Sequence, residues 1–109
     1  MLLMYLQKIN LKNKYALVTG AGKGLGRACS IALAEAGATV LALSRTPSDL
    51  NKLERDIKKI KGKIIKVPCD VMNYEELKTK LEKIKIIDVL VNNAGTNIPE
   101  PFEKLNKQA

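Results

Sequence analysis

A chain of 109 residues with 46% hydrophobic and 28% charged side chains has room for one compact core and the composition of a globular protein, not a disordered or collagenous one. Its formal charge of +8 comes from 19 Lys and Arg against 11 Asp and Glu, with the lysines concentrated between Lys52 and Lys85 and interleaved with acids, as on solvated helix faces. Aromatics are confined to Tyr5, Tyr15, Tyr74 and Phe102 and no compact basic motif is present, which argues against a nucleic-acid binder; the absence of His removes the commonest metal ligand and general base.

Residues 1–13 are expected to form a leader. Met1-Leu2-Leu3-Met4-Tyr5-Leu6 has no basic stretch and no small-residue cleavage site, so it does not read as a secretory signal. No apolar stretch approaches the roughly 20 residues that span a bilayer. A first strand is predicted over residues 15–19, followed by an Ala- and Leu-rich helix over residues 24–36 that stops at Gly37. Leu25, Ala28, Cys29, Ala32 and Ala36 fall on one stripe of that helix and are its predicted buried face. A second strand (39–43) leads to a helix marked by Leu50, Leu53, Ile57 and Ile60, with its N-cap near Ser48 and its end at Gly62. A third strand (63–67) precedes a helix with its N-cap near Asn73 and Leu77, Leu81 and Ile84 on one face; a fourth strand is predicted over residues 87–91. Cys29 and Cys69 lie far apart without metal-type spacing, and read as buried free thiols in a reducing cytoplasm.

Most of these strands are close to continuously apolar, as expected of parallel strands covered on both faces. Strand alternating with helix throughout predicts an α/β fold, a Rossmann-type doubly wound parallel sheet that ends after its fourth strand. Right-handed crossovers leave few arrangements, and the Rossmann order places the strands 3-2-1-4, with a ligand crevice at the carboxyl ends of the first and fourth strands.

Directly after the first strand comes Thr19-Gly20-Ala21-Gly22-Lys23-Gly24-Leu25-Gly26, which opens the first helix. Amides at a helix start lack intrahelical partners and carry partial positive charge, and glycine lets a pyrophosphate approach them. The G-x-G-x-x-G spacing is met in no register; T-G-x-x-x-G-x-G is, through Gly20, Gly24 and Gly26. Asp70-Val71 follows the third strand and Asn92-Asn93-Ala94-Gly95 the fourth. Together these motifs resemble the short-chain dehydrogenase/reductase family, from about Lys14 to Leu105. Within it, Leu41-Ala42-Leu43-Ser44-Arg45-Thr46 and the glycine turn look most like the carbonyl reductase and L-xylulose (dicarbonyl) reductase branch, although 3-oxoacyl-carrier-protein reductases and sugar dehydrogenases are similar in this half.

The resemblance implies that Leu25 offers its amide to the pyrophosphate and that Asp70 accepts from the adenine amino group beside Val71. It places Asn92 and Ala94 at the adenosine ribose, with Gly95 leading towards the nicotinamide, and gives Thr19 the task of tying the turn to N-N-A-G. Taken singly, Asp70 could equally be a helix N-cap and Asn92 a turn former. An NAD-preferring site needs an acid at the end of the second strand. Ser44, Arg45 and Thr46 stand there instead, with Lys23 in the glycine turn, a set suited to the 2′-phosphate of NADP(H). The expected cofactor-binding residues are therefore Gly20, Lys23, Gly24, Leu25, Gly26, Ser44, Arg45, Thr46, Asp70, Val71, Asn92, Ala94 and Gly95.

Members of the family act on small-molecule carbonyl or alcohol substrates and are commonly tetramers at full length. Their catalytic Ser and Y-x-x-x-K lie well downstream of N-N-A-G, whereas this chain has no Ser after Asn92 and no Tyr after Tyr74. Tyr74 to Lys78 has the Y-x-x-x-K spacing but precedes the fourth strand, on the adenine side, and reads as a surface helix. The fourth strand would also be an exposed apolar edge if the chain stopped at Ala109. The expectation is thus a single NADP(H)-binding half-domain of an oxidoreductase, from a fragment, a split or mispredicted gene, or a decayed copy, inactive alone. A non-catalytic nucleotide-binding fragment or interaction module is the alternative.

Overall fold

The computed structural model describes residues 9–93. Four strands, β1 (Tyr15–Thr19), β2 (Thr39–Ser44), β3 (Lys63–Pro68) and β4 (Val89–Asn92), alternate with helices α1 (Gly24–Glu35), α2 (Pro47–Lys59) and α3 (Tyr74–Leu81). The sheet is parallel throughout in the order β3-β2-β1-β4, as the sequence predicted. Two crossovers in one direction put α1 and α2 on the same face. Reversal at β4 places α3 on the other, so the chain folds as a Rossmann-type sheet with two apolar cores.

One core joins Ala16 and Val18 of β1 and Val40 and Ala42 of β2 to Leu33 and Ala34 of α1 and Leu50, Leu53 and Ile57 of α2. The other joins Leu17, Leu41, Leu43 and Val67 to Leu77 and Leu81 of α3. Period-two alternation sends neighbouring residues of each strand into opposite cores. Both faces of β1 and β2 are therefore sealed.

Several local expectations change. Of the expected stripe on α1, Ala32 and Ala36 are buried but Leu25, Ala28 and Cys29 are not; Gly26, Ser30, Leu33 and Ala34 complete the buried face, and Leu25 is 66% exposed. Close approach of the helix to the sheet selects small residues over apolar ones, and the Ser30 hydroxyl is satisfied by donating to the Gly26 carbonyl at 2.8 Å. Helix α2 starts at Pro47, with Thr46, two residues before Ser48, in the N-cap position. Proline suits a first helical position because it lacks an amide there. At the other end of α2, Ile60 is 39% exposed and Lys61 takes the left-handed conformation (φ 59°). Gly62 answers a different need: a Cβ there would stand 2.9 Å from Ile57 Cγ2. Asn73 caps α3 as expected, accepting from the Glu76 amide at 3.1 Å. Strand β4 begins two residues later than predicted, at Val89, because Asp88 ends the preceding loop by exchanging hydrogen bonds with the Tyr15 backbone.

Part of the expected leader belongs to the fold. Leu11 packs on the α1–α2 core and its amide donates to the Ala36 carbonyl at 2.8 Å. On the α2 side, Lys66 of β3 pairs with Glu54 at 3.1 Å and Lys58 with the same carboxylate at 3.6 Å. The Lys66 hydrogen bond, helped by the charges of Lys58 and Lys66, holds the Glu54 carboxyl below its usual range. Part of the lysine excess is thus spent on surface pairs.

Candidate functional site

All four strands end at one edge of the sheet, and the segments leaving them enclose a crevice of about 400 Å³. Gly20, Gly22 and Lys23 enter it from β1, Leu43, Ser44, Arg45 and Thr46 from β2, Cys69, Asp70, Val71 and Met72 from β3, and Asn93 from β4. Asp49, in the first turn of α2, closes the wall.

The glycine turn is tied down by backbone contacts. Ala21 is fully buried and its amide donates to the Leu43 carbonyl at 2.9 Å, fixing the turn to the end of β2. Gly24 has φ +54° with open space around its Cα, so glycine is needed there for conformation. Gly26 is needed for space: a Cβ would come within 2.1 Å of the Gly20 carbonyl oxygen and 2.7 Å of Asn93 Nδ2. The first intrahelical bond of α1 runs from the Arg27 amide to the Lys23 carbonyl at 3.2 Å. Amides ahead of it have no partner within the helix. Lys23, the N-cap, contributes no side-chain cap, and neither does Thr46 at the start of α2.

Thr19 performs its expected task. Its hydroxyl oxygen accepts from the Asn93 amide at 2.9 Å, and its proton faces the Asn92 Oδ1 at 3.3 Å. Asn92 is thereby turned to Thr19, while Asn93 lines the crevice. Sequence reasoning had passed over Asn93 although it sits inside the quoted motif.

At the β2 end, Ser44 Oγ accepts from the Thr46 amide at 3.1 Å, shaping the turn that presents Arg45. Arg45 is exposed at the rim, and among the described residues no acid pairs with it. Lys23 is 82% exposed in its side chain and lies 3.8 Å from the Asp49 carboxylate. At the β3 end, Asp70 Oδ1 accepts from the Met72 amide at 2.9 Å; Asn73, not Asp70, caps the following helix. Burial, then the neighbouring Glu76 carboxylate, push the Cys69 thiol up to about 12. It stays protonated at neutral pH, unsuited to nucleophilic work.

The crevice thus brings together Gly20, Lys23, Ser44, Arg45, Thr46, Asp70 and Val71 of the expected residues. Gly24, Leu25 and Gly26 stand beside it at the start of α1, and Ala94 and Gly95 lie outside the described residues. Gly22, Leu43, Asp49, Cys69 and Met72 line it without having been predicted. Gly22 was visible as a glycine that the T-G-x-x-x-G-x-G pattern does not require. Tyr74 and Lys78 are stacked on the outer helix, ammonium 5.9 Å from the ring centroid, as expected of a surface pair. No described helix is long and apolar enough to cross a membrane.

Residues 14–109 match the family model described as short chain dehydrogenase. The chain belongs to the short-chain dehydrogenase/reductase family. It is 40% identical over 101 residues to the L-xylulose reductase of Mus musculus, covering 93% of this chain and 40% of that protein. It is 33% identical over 99 residues to the 7alpha-hydroxysteroid dehydrogenase of Escherichia coli (strain K12), covering 87% of this chain and 39% of the relative. Among solved family structures, a metagenomic short-chain oxidoreductase in complex with NADP superposes with a TM-score of 0.72 at 33% identity, over 79% of this chain and 41% of the other. A 7alpha-hydroxysteroid dehydrogenase complexed with NADH and 7-oxo glycochenodeoxycholic acid gives 0.69 at 32% identity, over 77% and 34%. The chain spans about 40% of the length of its sequence relatives. Family members are oxidoreductases that use nicotinamide cofactors on small molecules, and those just named carry NADP in one case and NADH in the other.

Proposed function

We propose that this chain forms the NADP(H)-binding part of an oxidoreductase that interconverts a small-molecule carbonyl and an alcohol. The observation that carries this reading is a contrast between helix starts. Helices α1 and α2 open at the crevice with no side chain on their leading amides, whereas α3 is capped by Asn73. Uncapped amides beside glycines attract a pyrophosphate.

In this reading the amides of Gly24, Leu25 and Gly26 take the pyrophosphate, and Gly20 keeps the approach clear. Lys23 and Arg45, with the Ser44 and Thr46 hydroxyls, surround a 2′-phosphate; an unpaired guanidinium suits that bidentate acceptor. Asp70 and Val71 border adenine; the family resemblance assigns the ribose to Asn92 and Ala94 and the way to the nicotinamide to Gly95, of which Ala94 and Gly95 lie outside the described residues. A nicotinamide cofactor held by these residues would bring hydride donor or acceptor chemistry to the crevice. L-xylulose reductase, as a 40% identical relative, supports a polar carbonyl substrate.

Arg45→Asp tests the cofactor assignment by fluorescence titration with NADPH and NADH. The parent is expected to prefer NADPH, and the variant to weaken NADPH by about tenfold or more with little change for NADH. An unchanged ratio removes Arg45 from the role, and no binding of either nucleotide by the parent overturns the reading.

A further inference from the structure

The first acid in the sequence after β2 is Asp49, in the first turn of α2. It lines the same crevice as Lys23, Ser44, Arg45 and Thr46. An acid in the first turn of a helix is ordinarily a solvated partner for the helix dipole. Asp49 differs, because its side chain is only 15% exposed and is turned down onto the glycine turn. A Cβ on Gly22 would stand 2.7 Å from Asp49 Cβ, 3.4 Å from Asp49 Oδ2 and 3.3 Å from Ser44 Oγ. Gly22, redundant in the glycine pattern, is therefore the residue that lets Asp49 enter. The carboxylate then faces the Lys23 ammonium at 3.8 Å, its recorded ion pair among the described residues.

We infer that Asp49 is a specificity-determining residue, a fixed negative charge that restrains the crevice's preference for a 2′-phosphate and leaves it open to the 2′-hydroxyl cofactor as well. The inference rests on the cofactor reading above. Two effects of the carboxylate oppose each other. It steadies Lys23, but a pair with one partner 82% exposed contributes little. It also repels an incoming phosphate, which carries close to two negative charges at neutral pH, from a part-buried position where screening is weaker than in bulk water. Repulsion is the larger of the two, so removing the charge should raise affinity for the 2′-phosphorylated cofactor. The 2′-hydroxyl cofactor carries no charge at that position and gains nothing comparable.

The test compares NADPH and NADH dissociation constants of the protein with those of Asp49→Asn and Asp49→Ser, circular dichroism verifying that each is folded. Serine keeps a helix-start hydrogen-bonding group without the charge. Both variants should bind NADPH about threefold or more tightly, with NADH unchanged or weaker, so that the preference ratio rises. The NADPH gain should shrink as salt is added, a signature that a purely structural role would not give. A ratio that stays constant or falls in both variants overturns the inference while leaving the NADP(H) seat intact. A parent protein that binds neither nucleotide overturns the seat itself, and this inference with it.

Discussion

The two faces of the sheet are built from similar residues and are covered very differently. On the α3 face, the row Ile65, Leu41, Leu17, Leu90 runs across all four strands in register. Its inner members have no exposed surface, while Ile65 is 41% and Leu90 43% exposed. One residue earlier in each strand, the row Ile64, Val40, Ala16, Val89 on the α1–α2 face has its outer members tucked against the core. Helices of 12 and 13 residues cover one face, and a helix of eight residues covers part of the other. An apolar residue in a parallel strand is buried by the layer above it, not by its own hydrophobicity.

Leu41→Ala against Leu90→Ala is the sharpest way to break that contrast. Leu41 should lose about 2 to 5 kcal/mol in urea unfolding, since a cavity opens in a sealed core. Leu90 should lose about 1 kcal/mol or less, because much of its side chain already meets water. Equal losses would mean that the α3 face near β4 is covered after all.

A somewhat smaller loss is expected of Gly26→Ala, which probes the closest approach on the α1 face. A Cβ there meets a backbone carbonyl oxygen, which cannot swing away, so a cost of about 1 to 3 kcal/mol and weaker nucleotide binding are expected from one set of melts and titrations. Gly26→Ala at parental stability would show that the helix is not pressed against the turn.

The smallest effect expected, over the first pH unit above 9.0, is a slope in stability at the covered end of the α3 face. With its thiol raised from 9.0 to about 12, Cys69 keeps its proton in the folded state after the unfolded chain has lost it. The native state then binds more protons, so stability falls as pH rises between those values and is unaffected below them. Comparison with Cys69→Ala isolates this slope from the other titrating groups. A parent and variant that decline in parallel would remove Cys69 as its source.

The strand order was legible because short apolar runs separated by helical periods leave right-handed crossovers few choices. The packing face of α1 was not, because apolar periodicity favours Leu25 and Cys29 whereas contact with the sheet favours Gly26 and Ser30. Motifs located the crevice by naming the ends of β1, β3 and β4. They missed Asp49, which the first turn of α2 brings to the crevice wall, and Asn93, whose backbone amide is held by the Thr19 hydroxyl. Tertiary proximity, not composition, assembles those contributions.

The central claim is that the amides of the glycine turn, with Lys23 and Arg45, hold an adenosine bearing phosphates at both ends of its ribose. Titrating 2′,5′-ADP into the ¹⁵N-labelled protein tests it at single residues. The amides from Gly20 to Gly26 and those of Ser44 to Thr46 should shift together along one saturable curve, with 5′-AMP moving the second group far less. Shifts confined to the lysine-rich surface of α2 and β3, with a silent glycine turn, would contradict the account.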